Sequence, residues 1–528
     1  MKVSISIMKH FILSLAISCF SIICSEAQTN STQPSMKYTV RMPQAAQGKF
    51  HIALDAKGFA KDTLVFKMPN WMPGYYQLMN YAKGVDSLQA KNQQGQSLTV
   101  NRLAENTWQV IAPKKSAFTL TYQVKTSRKF VANSFIDSAH AYIVPANNFL
   151  YVAGMLQLPV QVQVNNGDQP GFKKIATGLD KVPGKSNVFT APDFDILYDC
   201  PILVGDLKEL PPFTVRGVPH RFIGYKMGSF DEQLFMNTLQ KAIEQGVNII
   251  DDIPFKEYTF IGIGPGRGGI EHLNNTTVSF SGNELKTQAE INRIMNFLSH
   301  EYFHHYNVKR IRPVELGPFD YDKGSRTTQL WISEGISVYF EYLMVKRAKI
   351  VDRNMFFNNL ANNITAHENN PGKEHQSLIQ SSYNTWSDGP FGTSGVDKNK
   401  AISYYDKGPF VSMIIDLAIR QASQNKKSLD DVMRFMYREY YQKLKRGFTD
   451  AEFQSACEQM AGKSLATEFD YVYTTQPINY NQYLGYAGLE LVSSIEEKGN
   501  TKKTLYRIQA LPNMNPAQSA ILSSWLGD

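Results

Sequence analysis

Cysteine and histidine are both scarce in this chain, with 4 and 10 copies among 528 residues. Cys19 and Cys24 fall in the N-terminal apolar stretch, so Cys200 and Cys457 are left, too few for a disulfide framework. They are expected as two buried thiols from different domains. No apolar run reaches the roughly 18 residues that a spanning helix needs. No cluster of Lys or Arg concentrates the net charge of +8, so a nucleic-acid partner is not expected. Internal repeats, heptads and low-complexity tracts are absent too. With 43% hydrophobic and 19% charged residues the chain is globular, and its length suggests about three domains.

The N-terminus has the layout of an export signal. Lys2 and Lys9 precede the apolar run from Phe11 to Cys24, and Ser25-Glu26-Ala27 forms a small-x-small cleavage site before Gln28. Residues 1–27 are therefore expected to be a signal peptide, and the product to be periplasmic or extracellular without a transmembrane anchor. Lipidation at Cys24 is disfavoured, since Ile23 is bulkier than the small residue that normally precedes such a cysteine.

From Lys37 to about Leu210, short β-type runs such as Phe118 to Val124 alternate with Gly, Asn, Asp and Pro punctuation, which predicts an antiparallel β domain over 36–210. Within it, Trp71-Met72-Pro73-Gly74-Tyr75-Tyr76 reads as a packed corner more readily than as a substrate contact. Helical periodicity from Phe235 to Ile250 and a strand at Tyr258 to Ile263 open a second domain, 211–484. Gly264-Pro265-Gly266-Arg267-Gly268-Gly269-Ile270-Glu271-His272 follows without the Gly-Lys-Ser/Thr of a phosphate loop. A glycine-rich edge along which a peptide backbone can lie suits it better. Asn362 to Lys400, rich in Asn, Ser, Gly and Pro, reads as a long connection over a cleft. Helices are expected after Tyr404, Ser428 and Thr449, the last opened by a Thr449–Glu452 capping box. A short β-rich tail occupies 485–528.

The stretch with the most chemistry is His300-Glu301-Tyr302-Phe303-His304. Ile291, Ile294, Met295 and Leu298 form one helical stripe, so His300 and His304 lie one turn apart on a shared face, and Glu301 is turned towards water at a metal. Random placement of the histidines and acids predicts roughly 0.02 such patterns per chain. His305 is read as a surface histidine or one behind the ligands. Leu330 to Arg347 is predicted as a second amphipathic helix carrying Glu334, the candidate third ligand. A His, His, Glu set leaves a fourth position open, as a catalytic zinc requires. A glutamate near a helix start is equally at home on a surface beside the helix dipole.

Gly268-Gly269-Ile270-Glu271-His272, His300 to His304 continuing into Asn307-Val308-Lys309-Arg310-Ile311-Arg312-Pro313, and Trp331-Ile332-Ser333-Glu334-Gly335 together resemble the glycyl aminopeptidase family of gluzincin zinc metallopeptidases. Trp71 to Tyr75, Ser382 to Trp386, Tyr404 to Pro409 and Tyr486 to Leu489 extend the resemblance over most of the chain after the signal. It implies an α+β multidomain protein: an N-terminal antiparallel β domain, a thermolysin-like catalytic domain with a helical C-terminal part, and a PDZ domain, which here is reduced to a short PDZ-like segment. It implies one zinc ion on His300, His304 and Glu334, Glu301 as general base, and Tyr405, with Tyr404 as its alternative, donating to the oxyanion. Gly268 and Gly269 would admit the substrate backbone, and Glu271 would hold a free amino terminus, with small first residues such as Gly or Ala preferred. The alternatives are a zinc endopeptidase and a non-catalytic peptide-binding protein of the same fold.

Overall fold

Period-two burial dictates the first architecture along the chain. Met36, Tyr38 and Val40 on Ser35–Arg41, and Phe118, Leu120, Tyr122 and Val124 on Ala117–Lys125, are buried while the residues between them face away. The computed structural model describes residues 33–126, 128–499 and 501–528, so the expected signal segment lies outside the described residues. These strands belong to a seven-stranded sheet in the order Asp180–Lys181, Val188–Ala191, Val160–Val164, Ser35–Arg41, Lys49–Lys57, Ala117–Lys125, Val85–Asn92. Its pairings are antiparallel except for Ser35–Arg41 with Val160–Val164, which run parallel because the intervening chain builds other strands before returning. Two four-stranded sheets accompany it among the described residues. The buried tyrosines Tyr38, Tyr122 and Tyr198 each need a partner for the hydroxyl, and they donate to the carbonyls of Leu150, Asn148 and Phe149.

From Lys208 a mixed sheet takes over, ordered Lys208–Glu209, Val218–Gly224, Tyr258–Gly262, Asn275–Val278, Gly269–Glu271. Val218–Gly224, Tyr258–Gly262 and Asn275–Val278 are parallel, and Gly269–Glu271 folds back antiparallel as an edge. The first crossover is the helix Glu232–Ile250, capped by the Asp231 carboxylate and burying Phe235, Leu239, Ile243 and Val247 at four-residue spacing. Thereafter the chain is largely helical. Gln288–Phe303, Ser337–Arg347 and Tyr404–Ala422 pack together, with Leu429–Met436 and Asp450–Ala461 as the expected further helices.

The connection expected from Asn362 to Lys400 is mostly helical. Arg353–Glu368 is capped by Asp352, and Leu378–Tyr383 is closed by a Ser377–Gln380 capping box, so local hydrogen bonding overrides a loop-like composition. Thr385–Asp388 follows, and the longest irregular stretch of the connection runs from Gly389 to Asp397, before the turn Lys398–Lys400. The C-terminal segment is a hairpin, Leu489–Lys498 with Thr501–Ala510, followed by the helix Pro516–Leu526. That helix buries Ile521, Leu522, Trp525 and Leu526 in the core formed by the helical part, and the Trp525 indole donates to the Tyr339 hydroxyl at 2.7 Å. Cys200 and Cys457 are buried and unbridged in two separate apolar clusters. No helix among the described residues is long and apolar enough to cross a membrane.

Candidate metal centre

The motif helix Gln288–Phe303 starts at a Thr287–Glu290 capping box and runs to the C-cap His304, whose amide still donates to the His300 carbonyl at 3.2 Å. Helical spacing is thus kept through the pentapeptide. It brings Nε2 of His300 and Nε2 of His304 to 2.8 Å of each other. Glu334 Oε2 lies 3.3 Å from the first and 3.2 Å from the second. All three side chains are buried, and their candidate donor atoms lie within 4.8 Å of one another.

Glu334 reaches this point from a π-helical turn, Trp331–Ile336, where a continuous α-helix is expected from the sequence; the α-helix proper is Ser337–Arg347. The wider turn is packed against Tyr404–Ala422 at a glycine pair. A Cβ on Gly335 would stand 2.6 Å from Cα of Gly408 and 3.2 Å from the Tyr404 carbonyl oxygen. Pro409, inside that second helix, has no N–H for the Tyr405 carbonyl, and Asn363 Nδ2 donates to it instead at 3.3 Å. Glu334 and Tyr405 are therefore set side by side by backbone contact.

The donor chemistry fits a metal ion. His304 Nδ1 lies 2.9 Å from the Asn307 carbonyl, which gives its proton an acceptor, and His300 Nδ1 lies 2.9 Å from Glu341 Oε2, so the Nε2 atoms of both rings are turned towards Glu334. Burial alone favours a protonated Glu334, but His304 and His300 in their charged form hold its carboxyl well below the usual range, and a bound cation acts in the same direction. Two nitrogens and one carboxylate oxygen are the donor set of a catalytic zinc, which keeps its fourth position for water. Asn307 also ties the two ligand-bearing segments together, since its Nδ2 donates to the carbonyls of Ile332 at 2.8 Å and Ser333 at 3.1 Å. Asn307→Ala is expected to weaken zinc binding about 10- to 100-fold. Chelator competition measures this, and unchanged affinity would show that the tie is dispensable.

Glu301 sits on the sheet side of the helix. Its Oε2 accepts from Thr276 Oγ1 at 3.4 Å, and a Cβ on Gly269 would overlap its Oε1, so the helix meets the edge strand where a side chain is missing. Burial pushes its carboxyl up to about 7, against the lowering effect of the two imidazoles. Gly268 has φ +97°, a conformation natural to glycine. Glu271, 3% exposed, closes the strand with Oε1 3.5 Å from the Tyr76 hydroxyl. The Tyr405 ring stands 6.3 Å from that of His300, and burial, then the nearby Glu334 carboxylate, raises its pKa. Tyr404 is fully buried with its hydroxyl 3.1 Å from Thr385 Oγ1. His305, expected at the surface or behind the ligands, is fully buried among Phe255, Tyr258, Tyr302 and Tyr306, because the turn after His304 points it into an aromatic cluster.

Two further side chains contact the site: Glu341 at His300 Nδ1 and Tyr76 at Glu271. The sequence carries a signal for Glu341, which is seven residues after Glu334 and so on the same helical face. For Tyr76 the sequence shows only an aromatic corner, because the partner of its hydroxyl, Glu271, is far away in the chain.

A buried His, His, Glu set, with a further carboxylate beside it on one helix and the edge of a mixed sheet alongside, defines the class: this is a metallopeptidase. Residues 37–206 match the Peptidase M61 N-terminal domain and residues 293–411 match the M61 glycyl aminopeptidase. The chain belongs to the M61 glycyl aminopeptidase family. Among solved structures it is similar to an aminopeptidase N family protein from Idiomarina loihiensis, at 25% identity and a TM-score of 0.81 over 88% of this chain and 80% of that one. It is also similar to aminopeptidase A from Legionella pneumophila, solved with aspartic acid, at 14% identity and a TM-score of 0.52 over 90% of this chain and 52% of that one. An M1 zinc metallopeptidase from Deinococcus radiodurans shares the fold at 12% identity and a TM-score of 0.50, over 85% of this chain and 94% of that one. No protein of curated function matches the sequence.

Proposed function

We propose that the protein is an exported aminopeptidase with one zinc ion, releasing small N-terminal residues such as glycine or alanine from peptides. The observation that carries the amino-terminal reading is Glu271, a buried carboxylate at the end of the edge strand, next to the donor cluster and backed by Tyr76. A free α-amino group, with a pKa of about 8, is substantially protonated near neutrality and pairs with such a carboxylate. The domain limits that go with this reading are 36–210, 211–484 and a PDZ-like segment at 485–528.

His300, His304 and Glu334 would hold the ion, which supplies Lewis acidity for the scissile carbonyl and for water. The substrate backbone lies along Gly268 and Gly269, where the absent side chains leave it room. Glu301 accepts the proton of the attacking water and delivers it to the departing amine. Tyr405 donates to the oxyanion; its ring stands next to His300, whereas the Tyr404 hydroxyl is engaged by Thr385. The test is a pair of peptides differing only in N-acetylation. The free peptide is expected to be cleaved and the acetylated one spared. Equal cleavage of both would make the protein an endopeptidase, and cleavage of neither by the zinc-loaded protein would favour a binding role.

A further inference from the structure

We infer that Tyr76, carried on a loop of the N-terminal part, is a substrate-binding residue whose hydroxyl completes the pocket for the substrate's free amino group. This rests on the aminopeptidase reading above. Tyr76 belongs by sequence to the β-rich part, yet both it and Trp71 pack within the apolar cluster of the helical part. Its hydroxyl is 3.5 Å from Oε1 of Glu271. Tyr38, Tyr122 and Tyr198 donate to backbone carbonyls; the Tyr76 hydroxyl instead faces the Glu271 carboxylate.

The hydrogen-bond inventory of that spot matches an ammonium. A tyrosine hydroxyl has one proton to donate and lone pairs with which to accept, whereas an ammonium has three protons and no acceptor. Placed between Glu271 and Tyr76, the ammonium donates to both and keeps a third proton for water, and Tyr76 still has its own proton to donate. The 3.5 Å separation is long for a hydrogen bond, so little is lost when the hydroxyl turns towards a third partner.

The loop is built to hold the hydroxyl there. Tyr76 has φ +56°, an uncommon and strained conformation for a bulky residue. Two residues earlier, Gly74 has φ +90° and lies so close to the edge strand that a Cβ would be 2.8 Å from Ile270 Cγ2 and 3.0 Å from Glu271 Oε2. Gln77 Nε2 donates to the Thr385 carbonyl at 2.7 Å, Trp71 pairs with Leu78 in an isolated bridge, and the Trp71 ring packs 5.5 Å from that of Phe319. The corner is a packed one, and its packing also aims one polar atom at the site.

The test compares glycine hydroxamate with acetohydroxamate, which lacks only the amino group, by calorimetric titration of the zinc-loaded full chain. Wild type is expected to prefer glycine hydroxamate. Tyr76→Phe is expected to shrink that preference about tenfold, the scale of one hydrogen bond to a charged group, with the acetohydroxamate Kd unchanged. A ratio of two Kd values is insensitive to any loss of folded protein. An unaltered ratio in Tyr76→Phe, or equal weakening of both ligands, would overturn the inference. Glu271→Gln separates the two levels. If it removes the preference while Tyr76→Phe does not, only the assignment of Tyr76 fails. If it too leaves the preference intact, the aminopeptidase reading fails and the Tyr76 assignment with it.

Discussion

Glu301→Gln is expected to lower kcat by roughly 10²- to 10⁴-fold, the range for a lost general base, while zinc content stays at the wild-type level. The amide has the shape of the carboxylate, so the contact with Thr276 and the fit against Gly269 survive, but it accepts no proton. The pH profile gives a second readout. Burial raises the Glu301 carboxyl to about 7, and a carboxyl that must be ionised to accept a proton fails on the acid side of its pKa. A bound dication favours the ionised form, so the acid limb of kcat/KM for the wild type is expected below about 7, with activity falling as pH falls. The residual activity of the glutamine variant should lack that limb. A variant with more than a tenth of wild-type kcat would remove Glu301 from the role.

The second large effect is expected from Gly335→Ala, a change of one methyl group that touches no ligand atom. The new Cβ would stand 2.6 Å from Cα of Gly408 and 3.2 Å from the Tyr404 carbonyl, both backbone, so no side chain can rotate away. The helix Tyr404–Ala422 must shift, at a cost of about 1–3 kcal/mol or more for overpacking. Because Glu334 precedes position 335 and Tyr405 lies in the first turn of the displaced helix, the shift also moves the candidate third ligand away from Tyr405, the proposed oxyanion donor. Thermal unfolding and chelator competition should both register the change, as a lower Tm and weaker zinc binding. Gly485→Ala is the control, since an added Cβ there meets nothing within 4 Å. A Gly335→Ala protein as stable and as tight for zinc as that control would show that the glycine contact does not set the site.

What could be read from the sequence follows the range of the interactions. His300, Glu301 and His304 are legible because helical spacing alone places them together. Their starting cap, Thr287 with Glu290, is equally local. The helix after Asp450 was visible through its Thr449–Glu452 box for the same reason. The π turn at Trp331–Ile336 left no mark in the periodicity, because it is matched to a partner helix that meets it at Gly408. The helices between Asn362 and Lys400 hid behind a loop-like composition, although Ser377 and Gln380 carried a readable cap. The parallel partner of Ser35–Arg41 is more than a hundred residues away, and strand patterns do not encode such a pairing. Glu271 came only through family resemblance, and the position of the Tyr76 hydroxyl beside it depends on two distant segments meeting.

The docking of Trp525 bears on the order in which the enzyme can be assembled. Its indole donates to the Tyr339 hydroxyl, which in turn donates to Asp416 Oδ2 at 2.6 Å, and Tyr339 lies on the helix that continues from the Glu334 turn. A buried hydroxyl and carboxylate left without that cover would be exposed to solvent, and the core of the helical part would lack one of its fully buried tryptophans. During synthesis the motif helix leaves the ribosome some two hundred residues before the plug. The peptidase core therefore cannot finish folding in the order in which it is made, and full packing around the ligand helices has to await the arrival of residues near position 525.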